Sequence, residues 1–179
     1  MILNTGKRDI RGRLLPLVLS AGIILADQVS KILVMHKVPR GASVSVIGDF
    51  FRITHVQNPA IAFSLGHAIE AGTRRALFML LPLLVIAVLF LYYLFTRDPL
   101  TRFQKWCFGA LVGGGLGNYV DRIFRPAGVV DFLDFRFYGI LGMERWPTFN
   151  LADATVVVSG ILLFLSFLIP ARKPSGDSP

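Results

Sequence analysis

Residues 76–95 read ALFMLLPLLVIAVLFLYYLF, a run of twenty residues in which no side chain is charged. A helix of about 20 apolar residues is long enough to cross the hydrocarbon core of a bilayer. Three further apolar stretches lie elsewhere in the chain, at 14–35, 106–120 and 149–169. The pattern predicts an all-α membrane protein with four transmembrane helices.

The composition of the whole chain agrees with a membrane protein and excludes several other classes. Of its 179 residues, 54% are hydrophobic and 17% are charged, and the mean hydropathy is +0.61. Soluble domains usually have about 25% charged residues, so a soluble, disordered or fibrous protein is excluded. The single cysteine, Cys107, allows no internal disulfide, and the three histidines lack the HExxH spacing of zinc hydrolases. We therefore expect no metal and no cofactor.

The basic residues indicate the orientation of the four spans. Segments 1–13, 96–105 and 170–179 together hold nine Lys and Arg in 33 residues, whereas loops 36–75 and 121–148 hold nine in 68. Because cytoplasmic loops are enriched in Lys and Arg, both termini are expected in the cytoplasm and the two long loops outside. The net charge of +8 then reflects topology, and no nucleic-acid partner is expected.

The first outer loop carries a pattern typical of β-strands. Residues 43–64 read SVSVIGDFFRITHVQNPAIAFS, in which apolar and polar residues partly alternate around a Gly48-Asp49 turn. We predict a small extracytoplasmic β-sheet on the membrane surface, because an open sheet cannot span lipid with unpaired edges. The whole chain is predicted to form one membrane domain over residues 1–170, followed by a cytoplasmic tail at 171–179.

Ionisable and small residues mark the faces of two spans that point at protein. Asp27 and Lys31 are four residues apart in the first span and therefore share a helix face. They either form an ion pair that makes a buried helix tolerable or line a functional site. In the third span Gly109, Gly113 and Gly117 form a stripe at four-residue spacing, which predicts close packing of another helix.

Polar residues follow directly after the glycine stripe. Asn118, Asp121 and Arg122 share one face if the helix continues at the outer end of the third span. They either anchor the helix end in the interface or face an inward cavity, and the sequence leaves both interpretations open.

Two aspartates are predicted to meet at the outer end of the bundle. Asp131 lies in the short apolar run GVVDFLDF, and Asp153 lies one turn into the fourth span. Asn150, three residues before Asp153, is placed to cap that helix. The predicted orientation puts both carboxyl groups on the same side of the membrane, whereas Asp134 is interpreted as a loop residue.

Such a pair of carboxyl groups can hydrolyse an amide. In a poorly hydrated site they share a proton, since both cannot ionise at low cost. The charged member takes a proton from water while the protonated member polarises the peptide carbonyl, so no metal is required. A serine, Ser30 or Ser64, activated by Lys31 is an alternative. It is disfavoured because pairing with Asp27 would keep Lys31 protonated.

Five motifs, in order along the chain, resemble those of the lipoprotein signal peptidases (signal peptidase II), a family of bacterial intramembrane aspartyl proteases. They are DQVSK (27–31), QNPAIAFS (57–64), GGGLGNYVDR (113–122), GVVDF (128–132) and FNLAD (149–153). The chain departs from the family pattern at Ala60, where glycine is usual, and Pro59 precedes it. The departure bears on the geometry of the outer loop and not on the two aspartates.

The resemblance implies an endopeptidase that removes the signal peptide from diacylglyceryl-modified prolipoproteins by cleaving just before the lipidated cysteine. It also implies a bacterial cytoplasmic (inner) membrane location among membrane lipids, an active site near the outer face, and inhibition by globomycin-type compounds. We expect a monomer. The resemblance assigns as catalytic Asp131 and Asp153, as substrate-binding Asn58, Asn118, Arg122 and Asn150, and as supporting Asp27, Lys31 and Asp121.

Two other classes stay open on the residues alone. Buried Asp, Lys and Arg also mark ion pathways, so a proton- or ion-coupled transporter subunit is the main alternative. The absence of an inverted repeat in the sequence and the gathering of polar groups at one interface favour the peptidase. A non-catalytic membrane scaffold built on the glycine stripe is the third possibility.

Overall fold

Four apolar segments of the chain form α-helices, and two outer segments form a small antiparallel sheet. The structure is a computed structural model that describes residues 10–59, 71–97 and 99–168. In chain order the elements are α1 (Ile10–Lys37), β1 (Ser43–Ile47), β2 (Phe51–Asn58), α2 (Ala71–Phe95), α3 (Arg102–Phe124), β3 (Val129–Phe135), a short 3₁₀ helix (Ile140–Gly142) and α4 (Leu151–Leu168).

The helices differ from the predicted apolar stretches mainly at their ends. The third helix starts four residues earlier than predicted because Thr101 caps it, its hydroxyl accepting from the Gln104 N–H at 3.2 Å. It also runs four residues further than the predicted end at 120, because Asn118 and Asp121 find buried partners inside the protein. The fourth helix begins at 151 rather than 149, since the Asn150 side chain caps its first turn.

Two helices among the described residues are long and apolar enough to cross a membrane, Gly12–Lys37 and Leu151–Leu168. A shorter apolar helix covers Met79–Phe95. The distribution of side chains is the reverse of that in a soluble protein. Large apolar residues such as Leu25, Leu84 and Phe164 are exposed on the outside of the helices, while the fully buried side chains include Asp27 and Lys31. These apolar helix surfaces are suited to contact with lipid.

The third helix is central and packs closely against its neighbours. A Cβ atom added at Gly113 would lie 2.8 Å from the Cα of Ser20 on α1, and one added at Gly114 would lie 2.7 Å from the Ala152 carbonyl oxygen on α4. The Ser20 hydroxyl also donates a 2.6 Å hydrogen bond to the Gly109 carbonyl. The close packing predicted from the glycine stripe is therefore confirmed.

Near the start of α1, Arg13 joins this helix to the end of α2. Its guanidinium donates to the main-chain carbonyls of Tyr93, Leu94 and Thr96, the last at 2.9 Å. The Tyr93 hydroxyl donates back to the Arg13 carbonyl at 2.5 Å. A cation at a helix C-terminus satisfies carbonyls that have no partner within the helix and is favoured by the helix dipole.

The sheet has the order β1-β2-β3, with both pairs antiparallel. The two strands expected in the first outer loop are confirmed, on either side of a turn in which Gly48 has a φ of +49°. The third strand was not predicted, and it corrects the interpretation of Asp134 as a loop residue. Asp134 lies opposite Arg52 in β3 and accepts from Thr54 at 2.9 Å and from Arg145 at 2.6 Å.

Candidate active site

Asp131 enters the site from β3. Its side chain is 3% exposed, and it lies opposite Val56 in the sheet register. One carboxylate oxygen accepts from the Asn150 amide at 2.7 Å, and the other accepts from the Asn58 amide at 3.2 Å. Gly128 makes this arrangement possible, because its φ is +105° and a Cβ there would overlap the Asn58 carbonyl.

Asp153 enters the site from the first turn of α4. One of its carboxylate oxygens accepts from the Asn118 amide at 2.7 Å. The other accepts from the main-chain N–H of Asn150 at 3.2 Å, while the Asn150 side chain accepts from the Asp153 N–H at 2.9 Å. This reciprocal pair of bonds is a capping box, which fixes the position of the Asp153 carboxylate relative to the helix.

A single amide, that of Asn150, links the two aspartates. It is fully buried, and its nitrogen donates to Asp131 and to the Asn118 oxygen at 3.0 Å. Because its oxygen and main-chain N–H bind Asp153, the same residue contacts both carboxyl-bearing side chains. The structure therefore brings Asp131 and Asp153 to the two sides of one buried residue.

The environment of Asp131 disfavours its charged form. Burial, and after it the negative charge of Asp153, raises the pKa of the Asp131 carboxyl from 3.8 to about 6. The two amide hydrogen bonds to Asp131 act in the opposite direction. In mildly acidic solution the Asp131 carboxyl is therefore protonated more often than an ordinary aspartate.

Behind the aspartates lies a buried cluster of charges. The Lys31 ammonium contacts Asp27 at 2.7 Å, Asp121 at 3.0 Å and the Asn118 oxygen at 2.9 Å. The predicted Asp27–Lys31 ion pair is confirmed, and all three N–H groups of Lys31 have an acceptor. Since Lys31 and Asn150 both bind the side-chain oxygen of Asn118, the amide nitrogen of Asn118 is turned toward Asp153.

The charge cluster also ties the secondary-structure elements together. The second oxygen of Asp27 accepts from the Ala152 N–H at 3.0 Å, which joins α1 to the start of α4. Asp121 accepts from the Val130 N–H at 3.0 Å, which joins α3 to β3 next to Asp131. The positions of Asp131 and Asp153 therefore depend on the buried carboxylates of Asp27 and Asp121.

Two members of this cluster were missed by the sequence prediction. Arg125 pairs with Asp121, and the Gln28 amide donates to Asp121 and to the Gly117 carbonyl, each at 2.9 Å. Arg125 also donates to the Gln28 oxygen at 2.9 Å. The four-residue spacing from Asp121 could have indicated Arg125 from the sequence, because residues four apart share a helix face. No comparable spacing marks Gln28, since apart from the adjacent Asp27 its partners lie on α3 or at its end.

An apolar cavity of about 420 Å³ opens beside Asp153, between α2, α3 and α4. Its polar lining consists of Asn118, Arg122 and Asp153, and its apolar lining includes Leu81, Ile86, Leu111 and Val156. The Nε of Arg122 is buried and has no hydrogen-bond partner among the described residues. Asn118 therefore lies between the charge cluster and the cavity, while Asp121 faces the cluster and Arg122 faces the cavity.

The serine alternative is not supported for the residue that is described. The Ser30 hydroxyl donates to the Asp27 main-chain carbonyl at 2.8 Å. Lys31 is occupied by its three acceptors, so it is not free to activate that hydroxyl. Ser64 and Ala60 lie outside the described residues.

The chain is similar to known proteins over most of its length. The family model described as signal peptidase (SPase) II matches residues 19–169. A lipoprotein signal peptidase of Treponema pallidum is 42% identical over 164 residues, covering 91% of this chain and 88% of the relative. One from Treponema denticola is 45% identical over 159 residues, covering 89% and 91%.

A solved structure supports the same assignment. A bacterial membrane enzyme determined by the in meso method at 1.9 Å resolution superposes with a TM-score of 0.72 at 27% identity, covering 92% of this chain and 97% of that chain. The fold is therefore that of a membrane enzyme. From the family model and these relatives, the chain belongs to the signal peptidase II family of aspartic peptidases.

Proposed function

We propose that the chain removes signal peptides from diacylglyceryl-modified prolipoproteins, cleaving just before the lipidated cysteine with Asp131 and Asp153 as its catalytic dyad. The observation that carries this proposal is the bridging of both aspartates by Asn150, beside an apolar cavity. Membership of the signal peptidase II family supports it independently.

The two carboxyl groups act as one acid–base pair. The ionised member takes a proton from a water molecule while the water oxygen attacks the scissile carbonyl carbon. The protonated member donates its proton to the carbonyl oxygen. As the carbon–nitrogen bond breaks, a proton passes to the departing amine, and the carboxyl groups are left sharing one proton again. The raised pKa of Asp131 supports this division of roles, although the proton belongs to the pair.

Four polar residues are proposed to position substrate and dyad. Asn118 and Asn150 orient the carboxylates through the hydrogen bonds described above. Arg122 offers an N–H to the substrate backbone, since its buried Nε lacks a partner among the described residues. The Asn58 amide donates to the Asp131 carboxylate oxygen that Asn150 does not bind. The buried Asp27, Lys31 and Asp121 support the site and do not touch the substrate.

The apolar cavity between α2, α3 and α4 is proposed to receive the signal peptide. A signal peptide contains an apolar segment, and this cavity is lined mainly by aliphatic side chains with polar groups beside Asp153. The substrate could enter sideways from the bilayer. A globomycin-type inhibitor is proposed to compete for the same cavity.

We further propose a four-span topology in the bacterial cytoplasmic membrane. The spans at about 14–35, 76–95, 106–120 and 149–169 form one domain with both termini in the cytoplasm, and the sheet rests on the outer membrane surface among lipids. The protein is proposed to act as a monomer. Support comes from the distribution of Lys and Arg and from the apolar outer surfaces of the helices.

The test is cleavage of a diacylglyceryl prolipoprotein by the purified protein in lipid vesicles. Asp131→Asn and Asp153→Asn are each expected to lower the cleavage rate by about 10²–10⁴-fold, because each removes a partner in proton transfer. Asp134→Asn is the matched control, since Asp134 is a buried acid in the same strand that contacts Arg145 instead of the dyad.

Normal cleavage by either dyad variant would exclude that aspartate from the reaction. Ion flux through vesicles without cleavage would favour the ion-coupled transporter, an alternative that membership of a peptidase family already disfavours.

A further inference from the structure

The connection between β3 and α4 ends in an exposed apolar tip. We define the apolar tip as residues Tyr138, Ile140 and Leu141, which are 62%, 59% and 79% exposed. Residues 137–143 read FYGILGM and contain no charged side chain. Large apolar side chains exposed together on a loop usually mark a contact surface.

The backbone of this loop presents these side chains outward at a conformational cost. Tyr138 and Leu141 have φ values of 52° and 55°, the left-handed region that residues with a Cβ seldom adopt. The glycines on either side of Ile140 and Leu141, at 139 and 142, also have positive φ. A strained turn whose tip is apolar is unexpected in water, because nothing in that environment offsets the exposure of Leu141.

Six charged residues joined by ion pairs adjoin the loop, and we call them the collar: Arg52, Arg136, Arg145, Asp49, Asp134 and Glu144. Arg136 and Arg145 both pair with Asp49, and Arg145 also binds Asp134 at 2.6 Å. The Arg136 guanidinium lies over the Tyr138 ring, 5.1 Å from its centroid. An apolar end followed by arginine and tyrosine is the arrangement seen where a protein enters the interface of a bilayer.

The loop that carries the apolar tip connects the sheet to the start of α4. Phe149, which pairs with Leu133 of β3, directly precedes Asn150 and the start of α4. The main-chain N–H of Arg136 donates to the Phe50 carbonyl at 2.8 Å, so the tip lies at the same end of the sheet as exposed Ile47 and Phe50.

We infer that the apolar tip inserts into the outer leaflet of the bilayer and anchors the sheet beside the dyad. The occupant is lipid, since the loop that carries the tip leads into α4, a helix whose exposed surface is apolar. Insertion is driven by apolar burial rather than by anionic headgroups, because in the collar Arg52, Arg136 and Arg145 are balanced by Asp49, Asp134 and Glu144.

The inference rests on the proposed function for the side of the membrane, and it is tested without measuring cleavage. A nitroxide is attached to the cysteine of Leu141→Cys in the full-length protein, in a Cys107→Ala background. The labelled protein is reconstituted in phosphatidylcholine vesicles. Its accessibility to oxygen, which concentrates in lipid, is compared with that to a water-soluble nickel chelate. Glu144→Cys is the matched control, because the Glu144 side chain is 75% exposed in the same loop but belongs to the collar.

At Leu141 we expect oxygen accessibility to exceed nickel accessibility, and at Glu144 the reverse. Adding phosphatidylglycerol is expected to change neither result. Equal nickel accessibility at both positions would overturn the inference, and so would shielding of Leu141 from both reagents, which would indicate a protein contact. Insertion only with phosphatidylglycerol present would overturn the apolar driving force. Loss of cleavage by the dyad variants bears on the proposed function alone.

Discussion

Asp131→Asn is expected to make the protein more stable at neutral pH and less stable in acid. The Asp131 carboxyl is 3% exposed, and burial together with the charge of Asp153 raises its pKa from 3.8 to about 6. A difference of that size between folded and unfolded states corresponds to about 3 kcal/mol. Asparagine has nearly the same shape and carries no charge at any pH.

The sign follows from proton binding. Between pH 3.8 and about 6 the folded state binds more protons at Asp131 than the unfolded state, so the stability of the unchanged protein falls as the pH rises through this window. The variant lacks this loss. It does lose one matched hydrogen bond, because an asparagine amide nitrogen would face the amide of Asn58 or Asn150, at a cost of about 1 kcal/mol at every pH. The two stability curves should therefore cross.

The assay is thermal unfolding of the purified proteins in detergent at pH 4 and pH 7. We expect Asp131→Asn to have the lower melting temperature at pH 4 and the higher one at pH 7. At pH 7 its free energy of unfolding should exceed that of the unchanged protein by about 2 kcal/mol. Asp134→Asn should instead be destabilised at pH 7, since it removes the charged partner of the Arg145 guanidinium. A difference between Asp131→Asn and the unchanged protein that does not vary with pH would refute the reasoning.

Three further substitutions test the packing of the helices, each by thermal unfolding in detergent. Lys31→Met removes the buried cation that pairs with Asp27 and Asp121 and should cost about 3–5 kcal/mol, so an unchanged melting temperature would contradict the buried charge cluster. Gly113→Ala should destabilise because its Cβ would lie 2.8 Å from a backbone atom of α1, whereas Gly22→Ala, with open space around it, should not; equal effects would argue against the close helix contact. Arg13→Met removes the donor to three carbonyls at the end of α2 and should cost about 1.5–3 kcal/mol, and a variant as stable as the parent would show that water replaces these bonds.

Features encoded by local spacing were predictable from the sequence. The Asp27–Lys31 pair and the glycine stripe depend only on the geometry of one helix, and both are present. The first two strands followed from alternation around Gly48, whose positive φ makes the turn. The Asn150 cap was likewise predictable from its position before Asp153.

Features that depend on distant partners could not be predicted in the same way. The third strand contains Asp131 and Asp134, which break the apolar pattern, and it is stabilised by pairing with β2 more than seventy residues away. Helix α3 extends beyond its apolar stretch because Asp121 meets Lys31 on another helix. Tertiary contacts therefore decide the element boundaries nearest to the site.

The central claim, that the two aspartates hold one shared proton, is tested most directly by counting protonated carboxyl groups with infrared spectroscopy. Spectra of the unchanged protein are compared with those of Asp131→Asn and Asp153→Asn at a pH near 6, where Asp131 is expected to titrate. We predict that a carboxylic acid band of the unchanged protein is lost or shifted in both variants, because each contributes to the same coupled titration. A band that is insensitive to both substitutions, or two carboxylates that ionise independently at ordinary acid values, would contradict the account.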